Sequence, residues 1–303
     1  MEKQLYTALS AIVKEDRIAC NVPLRDYTTF GVGGPAAVFV RIASVSKLQK
    51  VVKLLKAEAV PYFMIGKGSN LLVSDEGYEG VVLCPDEEMC RVQCEGTVIR
   101  AGAGASLARV AALALQEELT GFEFAAGIPG TVGGAMVMNA GAYDGEMKQV
   151  VTSVSLLDED GECLELTAEE MEFGYRTSIL KRKDYLVTEV LFTLKKGTAA
   201  QIKEKMKDLA YRRMEKQPLE YPSAGSTFKR PEGDYAGRLI GAAGLSGYTI
   251  GGAQVSEKHN GFIINKGDAA AADIKALIAY VQKRVEETSG ICLEPEVIYV
   301  GKE

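Results

Sequence analysis

The chain contains no tryptophan and a single histidine among its 303 residues. That histidine, His259, lies in the polar string Ser256-Glu257-Lys258-His259-Asn260-Gly261, which gives a Ser-His-Asp relay no good centre. Cysteine is present six times (Cys20, Cys84, Cys90, Cys94, Cys163, Cys292) but never as a CxxC pair. Cys90 and Cys94 lack the histidine partners that a zinc site would recruit, so reduced thiols and no metal are expected. Long apolar runs are also missing. Residues 1–16 have no uninterrupted hydrophobic stretch and no small-residue cleavage site, so no signal peptide is expected and a cytoplasmic location is. Basic residues are in deficit, 35 against 41 acids, for a formal charge of −6. That balance disfavours nucleic acid or an anionic membrane surface as a general partner.

One local absence is more informative. Phe124 to Tyr143, FAAGIPGTVGGAMVMNAGAY, carries no charge, yet holds five glycines and one proline. Pro129 and the glycines break it too often for a membrane helix, which needs roughly 20 sustained apolar residues. Two readings are open: a tight buried turn, or a backbone that approaches a polar ligand closely and offers N–H groups to an anion.

What is present fits a soluble globular chain, 47% hydrophobic and 25% charged, long enough for two or three domains. Leu48, Val51, Val52 and Leu55 predict an amphipathic helix that Pro61 ends, followed by a strand over 62–65. A second helix is predicted over 106–119, with Ser106 as its N-cap. Residues 150–157 and 163–166 flank Asp158-Glu159-Asp160-Gly161 as a hairpin, and 186–194 reads as another strand. Lys195-Lys196-Gly197-Thr198 reads as a break. A charged helix over 201–217, a glycine-rich stretch over 221–252, a helix around Ile274–Val285 and a terminal strand over 297–300 follow. The change of texture places a domain boundary near 198, and the mixture points to α+β.

Gly66-Lys67-Gly68-Ser69-Asn70 follows a predicted strand, and can present consecutive N–H groups to phosphate oxygens. It is neither the dinucleotide fingerprint nor a P-loop. A plain hairpin turn is the alternative. Further along, Tyr175-Arg176-Thr177-Ser178 offers a guanidinium that can hold a carboxylate through two parallel hydrogen bonds. Gly225-Ser226-Thr227-Phe228-Lys229 sets a serine on a glycine turn beside a cation, and Glu294-Pro295-Glu296 sets a carboxyl at the mouth of a strand. Alone, each is as consistent with a solvated loop.

Together and in order, the strings Thr29–Pro35, Gly66–Asn70, Gly127–Ala135, Asn139–Tyr143, Tyr175–Ser178, Gly225–Lys229 and Glu294–Glu296 resemble the UDP-N-acetylenolpyruvoylglucosamine reductase family. These are the flavoenzymes that complete UDP-N-acetylmuramate for peptidoglycan. The resemblance runs from about residue 20 to about residue 300, and the Ser223-Ala224-Gly225-Ser226 stretch is similar to the shorter, type II branch. It implies an α+β fold: an FAD-binding part, 1–198, of two subdomains dividing near 80–100 in the vanillyl-alcohol-oxidase (PCMH) style, and a C-terminal α+β substrate-binding domain, 199–303. With no histidine before His259 and no cysteine in either cradle, FAD is expected to be non-covalent.

The reaction implied is reduction of FAD by NADPH, then hydride delivery to the vinyl CH2 of UDP-N-acetylglucosamine enolpyruvate. Negative charge then spreads into the carboxylate as an enediolate-like species. Arg176 and Glu296 match the family's stabilisers of that charge, Glu296 acting best if burial or the adjacent anion raises its pKa and keeps it protonated. Ser226 matches the proton donor to carbon. FAD contacts carry over to Gly66, Gly68, Ser69, Asn70, Gly130, Thr131, Gly133, Gly134, Asn139 and Gly141, and substrate contacts to Tyr175 and Lys229. A monomer with no nucleic-acid or membrane partner is expected. The alternatives are an FAD-dependent alcohol or sugar oxidase of the same superfamily, and a non-catalytic flavin or nucleotide-sugar binding module.

Overall fold

The structure, a computed structural model, describes residues 2–302, with side chains from Gln4 onward. The chain gathers into two compact units. One comprises residues up to Cys20, Val38–Gly66 and Gly80–Arg212; the other comprises Asn21–Ala37, Lys67–Glu79 and the chain from Arg213.

The first unit has two apolar cores. In one, a four-stranded sheet runs in the order Ile18–Pro23, Pro35–Ile42, Tyr78–Pro85, Tyr62–Met64. The predicted amphipathic helix is Val45–Ala57, and Leu48, Val51, Val52 and Leu55 are its buried face. They join Leu9, Val38, Val40, Val81 and Leu83. Tyr62–Met64 lies parallel to Val81–Leu83, and Ile65 N–H donates to Leu83 O at 2.9 Å, so the strand delivers the chain directly to Gly66.

The other core lies under an antiparallel five-stranded sheet, ordered Cys163–Thr167, Val151–Leu157, Leu186–Thr193, Val98–Gly102, Val92–Glu95. The predicted hairpin and the 186–194 strand are its first three members. Ser106 caps the helix Leu107–Gln116 by accepting from Arg109 N–H at 3.2 Å. Val110, Ala111 and Ala114 from that helix pack with Ile99, Val154, Val190 and Phe192. Lys195–Lys196, expected as a break, instead pairs antiparallel with Leu119–Thr120. An edge position suits the pair, since both lysines are exposed.

The second unit holds the antiparallel strands Thr249–Ile250, Ala253–Val255 and Ile263–Asn265, the helices Ala236–Ala242 and Ala271–Ser289, and a parallel pair, Leu71–Val73 with Ile298–Val300. Ile274, Leu277, Ile278, Val281 and Val285 line the buried face of the long helix. They pack with Ala253, Val255 and Ile263, and with Phe30, Val32 and Leu72 from earlier in the chain.

Candidate active site

The uncharged window contains a seven-residue helix, Val132–Met138, most of which is buried. Its glycines serve two purposes. A Cβ at Gly133 would come within 3.0 Å of Ala103 Cβ, so that glycine permits close packing onto the neighbouring strand end. Gly134 is exposed, and a Cβ there would meet only Thr131 Oγ1, at 3.5 Å. The N–H of Gly133 donates to Ala103 O at 2.8 Å and that of Gly130 to Ile128 O at 2.9 Å, so both are used within the protein. Thr131 caps the helix, its hydroxyl accepting from Gly134 N–H.

Gly66 adjoins this helix start. A Cβ on Gly66 would collide with Oγ1 of Thr131, which brings the end of the first glycine string against the second. The loop continues through Gly68, which is buried and left-handed at φ 56°. There a Cβ would collide with Tyr27 O. Among the described residues, no protein acceptor takes the N–H of Lys67, Gly68 or Ser69. Consecutive unclaimed donors on a glycine turn, one on a buried residue, are the donor set a pyrophosphate requires, since buried N–H groups are otherwise nearly always paired. The residues present therefore fit a dinucleotide.

Two asparagines predicted beside the cofactor hold protein segments. Asn70 Nδ2 donates to Glu296 O at 2.9 Å, and Asn70 O accepts from Ile298 N–H at 2.9 Å. Asn139 is fully buried in a left-handed conformation, φ 41°. Its Nδ2 donates to Glu146 Oε2 at 2.8 Å and Gly174 O at 3.0 Å, while its Oδ1 accepts from Lys148 N–H at 3.0 Å. All three partners agree on one orientation of the amide.

The bond to Gly174 anchors the tight loop that carries Arg176. Gly174 and Thr177 form an isolated bridge, and buried Ser178 donates from Oγ to Val137 O at 3.1 Å. Arg176 is left-handed at φ 54°, and its Nη2 donates to Gly141 O at 3.0 Å. Its guanidinium carbon lies 5.1 Å from the ring centroid of the exposed Tyr175. Gly141 is closely packed, since a Cβ there would lie 2.6 Å from Gly145 O. Among the described residues, five of the nine left-handed non-glycine positions (Asn139, Tyr143, Asp144, Glu172, Arg176) fall in these two adjoining segments. Such conformations persist only where the surroundings enforce them.

In the second unit, Phe228 and Pro295 face each other across an antiparallel bridge. Glu296 N–H donates to Thr227 O at 2.8 Å and Lys229 N–H to Glu294 O at 2.9 Å. Thr227 is fully buried and fixed twice more, by its N–H to Gly261 O at 2.8 Å and by accepting Ile263 N–H at 3.0 Å. This clamp presents Ser226, which is exposed and has no protein hydrogen bond among the described residues, next to the half-buried Glu296. The Lys229 ammonium pairs with the Glu294 carboxylate. His259 lies nearby in the chain path, but its Nδ1 accepts from Gly261 N–H at 3.2 Å. Burial holds its pKa below the ordinary value, which keeps the imidazole neutral.

The cysteines are all free thiols, and burial pushes Cys84 up to about 11. Among the described residues no three His, Cys, Asp or Glu side chains gather to hold a metal ion, and no helix is long and apolar enough to cross a membrane.

Residues 35–167 match the FAD binding domain family, and residues 217–300 match the family described as UDP-N-acetylenolpyruvoylglucosamine reductase, C-terminal domain. The chain is 52% identical over 302 residues to the UDP-N-acetylenolpyruvoylglucosamine reductase of Caldanaerobacter subterraneus, covering all of both proteins. It is 49% identical to that of Lachnoclostridium phytofermentans, covering 100% of this chain and 99% of the relative. Among solved structures, the reductase of that name from Thermus caldophilus aligns with a TM-score of 0.82 at 37% identity, over 94% of this chain and 99% of its own. Identity near one half along its whole length, with an FAD domain ahead of the reductase's C-terminal domain, places this chain in the UDP-N-acetylenolpyruvoylglucosamine reductase family of FAD-containing oxidoreductases.

Proposed function

We propose that the chain uses NADPH to reduce the enolpyruvyl ether of a UDP-N-acetylglucosamine to UDP-N-acetylmuramate, with Ser226, Glu296 and Arg176 as its catalytic residues. One observation carries the assignment of roles. Ser226 offers an exposed, uncommitted hydroxyl at the position where Thr227 O receives the N–H of Glu296, so proton donor and carboxyl arrive on paired segments. FAD, when bound, supplies the hydride carrier between NADPH and the vinyl carbon. Its phosphates are assigned to the N–H groups of Lys67, Gly68 and Ser69 and to the face exposed at Gly134. Gly66, Thr131 and Gly133 shape that wall by close packing, with Gly130, Asn70, Asn139 and Gly141 supporting it.

Arg176 is assigned to the substrate carboxylate. As charge develops on the carbon next to that carboxylate, a fixed guanidinium stabilises the transition state more than the ground state, which is what accelerates a step. The Gly141 carbonyl and the enforced left-handed backbone fix the direction of that side chain in advance. Glu296 is assigned as a second hydrogen-bonding group to the same carboxylate. Ser226 gives its proton to the carbon bearing the ether oxygen; a hydroxyl suffices as acid because a carbanion-like centre is strongly basic. Lys229 and Tyr175 are assigned to substrate, with the Lys229 charge balanced by Glu294.

Residues 1–198 are assigned to FAD and residues 199–303 to substrate. The enzyme is proposed to be a cytoplasmic monomer without nucleic-acid or membrane partners, in keeping with its net negative charge. The two half-reactions test the roles. Ser226→Ala should leave flavin reduction by NADPH at the wild-type rate and slow flavin reoxidation by the enolpyruvyl substrate by roughly 100-fold or more, the scale of a lost general acid. Stopped-flow absorbance of the flavin reads both. Reoxidation at the wild-type rate would remove Ser226 from the mechanism.

A further inference from the structure

Asn70 stands one residue beyond the Lys67–Ser69 loop, and it grips the segment that carries Glu296 twice. Within the second unit, Leu71–Val73 runs parallel to Ile298–Val300, with Ser74 N–H donating to Val300 O at 2.8 Å and Ile298 N–H to Asn70 O at 2.9 Å. The bonds of a parallel pair are evenly spaced, so the next rung back joins residue 70 to Glu296 O. Residue 70 lies in the turn that Leu71 N–H closes onto Gly68 O at 3.3 Å. Its side chain makes the rung, with Asn70 Nδ2 donating to Glu296 O at 2.9 Å. A side-chain amide thus continues the ladder one step past the strand.

Glu296 is thereby held at both of its peptide groups. Its N–H donates to Thr227 O at 2.8 Å, and its carbonyl accepts from Asn70. Beyond it, Val297 is buried in the core of this unit, and Ile298 N–H returns to Asn70 O. The two grips come from different places. Thr227 belongs to the clamp that presents Ser226, whereas Asn70 follows directly on the loop assigned to the FAD phosphates. The Glu296 side chain branches between these two peptides, so a rotation of either one swings the carboxyl. Without the amide at 70, the N–H side of Glu296 stays fixed while its carbonyl side loosens. A displacement of around 1 Å at a positioned group can cost about 100-fold in rate.

We infer that Asn70 is a positioning residue for Glu296: its amide fixes the carbonyl side of Glu296, and with it the direction in which the carboxyl meets the substrate carboxylate. The inference rests on the assignment of Glu296 to substrate. It gives Asn70 a part in the substrate half of the reaction, although its neighbours in the chain serve the cofactor.

The test is a double-mutant cycle on the full-length enzyme saturated with FAD, with both half-reactions followed by flavin absorbance. Asn70→Ala should slow flavin reoxidation by the enolpyruvyl substrate about 10- to 100-fold and leave flavin reduction by NADPH within about threefold of wild type. In a Glu296→Ala background the same change should slow reoxidation by no more than about threefold further, because nothing is left to position. Asn70→Asp keeps the shape and removes the donor; it should behave as Asn70→Ala does, and it carries the cycle if Asn70→Ala fails to fold. Losses that multiply in the double variant overturn the inference, since Asn70 would then act independently of Glu296. Reoxidation at the wild-type rate in the Asn70 variants also overturns it. So does a slow rate that recovers when FAD is raised, since Asn70 would then serve only the cofactor. The single variants separate the two levels. If Glu296→Ala reoxidises at the wild-type rate, the assignment of Glu296 falls and the inference with it; if Glu296→Ala is slow while the Asn70 variants are normal, only the role of Asn70 falls.

Discussion

Asn139 makes three side-chain hydrogen bonds from a position with no solvent exposure, and one of them holds the turn that carries Arg176. Replacing it by alanine removes a donor to the Gly174 carbonyl, which keeps only the longer bond from Thr177 N–H, and the acceptor of the Lys148 N–H, each worth about 0.5–1.5 kcal/mol. It also puts a less tolerant residue in a left-handed backbone. The effect on chemistry should be selective. Asn139→Ala is expected to slow substrate-driven flavin reoxidation about 10- to 100-fold, since misplacing a group by around 1 Å can cost about 100-fold, while flavin reduction by NADPH stays near normal. Rapid kinetics of both half-reactions, with a thermal melt to confirm folding, checks this. Equal slowing of both steps would mean that Asn139 supports the flavin and not Arg176. Sequence reading reached Asn70 and Asn139 as polar groups of the site, but not what their amides grip. Asn70 grips Glu296, 226 residues away, and Asn139 reaches Gly174, 35 residues away, and spacing along a chain carries no information about such pairs.

At the level of elements, apolar periodicity suffices for the helices Val45–Ala57, Leu107–Gln116 and Ala271–Ser289 and for the strands Val151–Leu157 and Leu186–Thr193, but not for the equally long strands Pro35–Ile42 and Tyr78–Pro85. The buried faces of Val45–Ala57 and Ala271–Ser289 are the residues their spacing picks out. Of the short strands, Tyr62–Met64 and Ile298–Val300 fall where strands are expected over 62–65 and 297–300, but Leu71–Val73 is not legible, because three residues hold no period. Leu71–Val73 becomes a strand only because Ile298–Val300 lies parallel to it. Even the start of the last helix depends on distant sequence. Ala270 has no side-chain cap, and Asp75, some 196 residues earlier, accepts from Ala271 N–H at 2.8 Å and Ala272 N–H at 2.9 Å. A carboxylate at this end satisfies two orphan donors and favourably meets the positive end of the helix dipole. Asp75→Ala should therefore cost about 1–2 kcal/mol, as loss of an N-cap does, and lower the melting temperature by a few degrees in calorimetry. Asp75→Asn should recover part of the loss, since one acceptor oxygen remains. A wild-type melt in Asp75→Ala would show that water replaces the cap at no cost.

For the whole molecule, chain order and compactness diverge. The C-terminal family match covers 217–300, but the compact unit that contains it also takes in Asn21–Ala37 and Lys67–Glu79. Those two short segments supply more than connection. Phe30, Val32 and Leu72 are buried in the same core as the last helix, Asn265 Nδ2 donates to Phe30 O at 3.0 Å, and Leu71–Val73 pairs with the final strand. Three buried side chains of this size stabilise by about 1.5–3 kcal/mol each, to which the Asp75 cap adds about 1–2 kcal/mol. The sum, roughly 6–11 kcal/mol, equals most of the 5–15 kcal/mol that holds a typical domain folded. A fragment spanning 199–303 should accordingly fail to fold by itself, giving collapsed amide dispersion in NMR and no cooperative melt by circular dichroism. Adding a peptide of residues 21–37 should not restore it, since the parallel strand and the cap lie in 67–79. A cooperative transition with dispersed amides in the fragment alone would show that the late sequence repacks without its early partners, and that the discontinuous core is a convenience of the full chain and not a requirement.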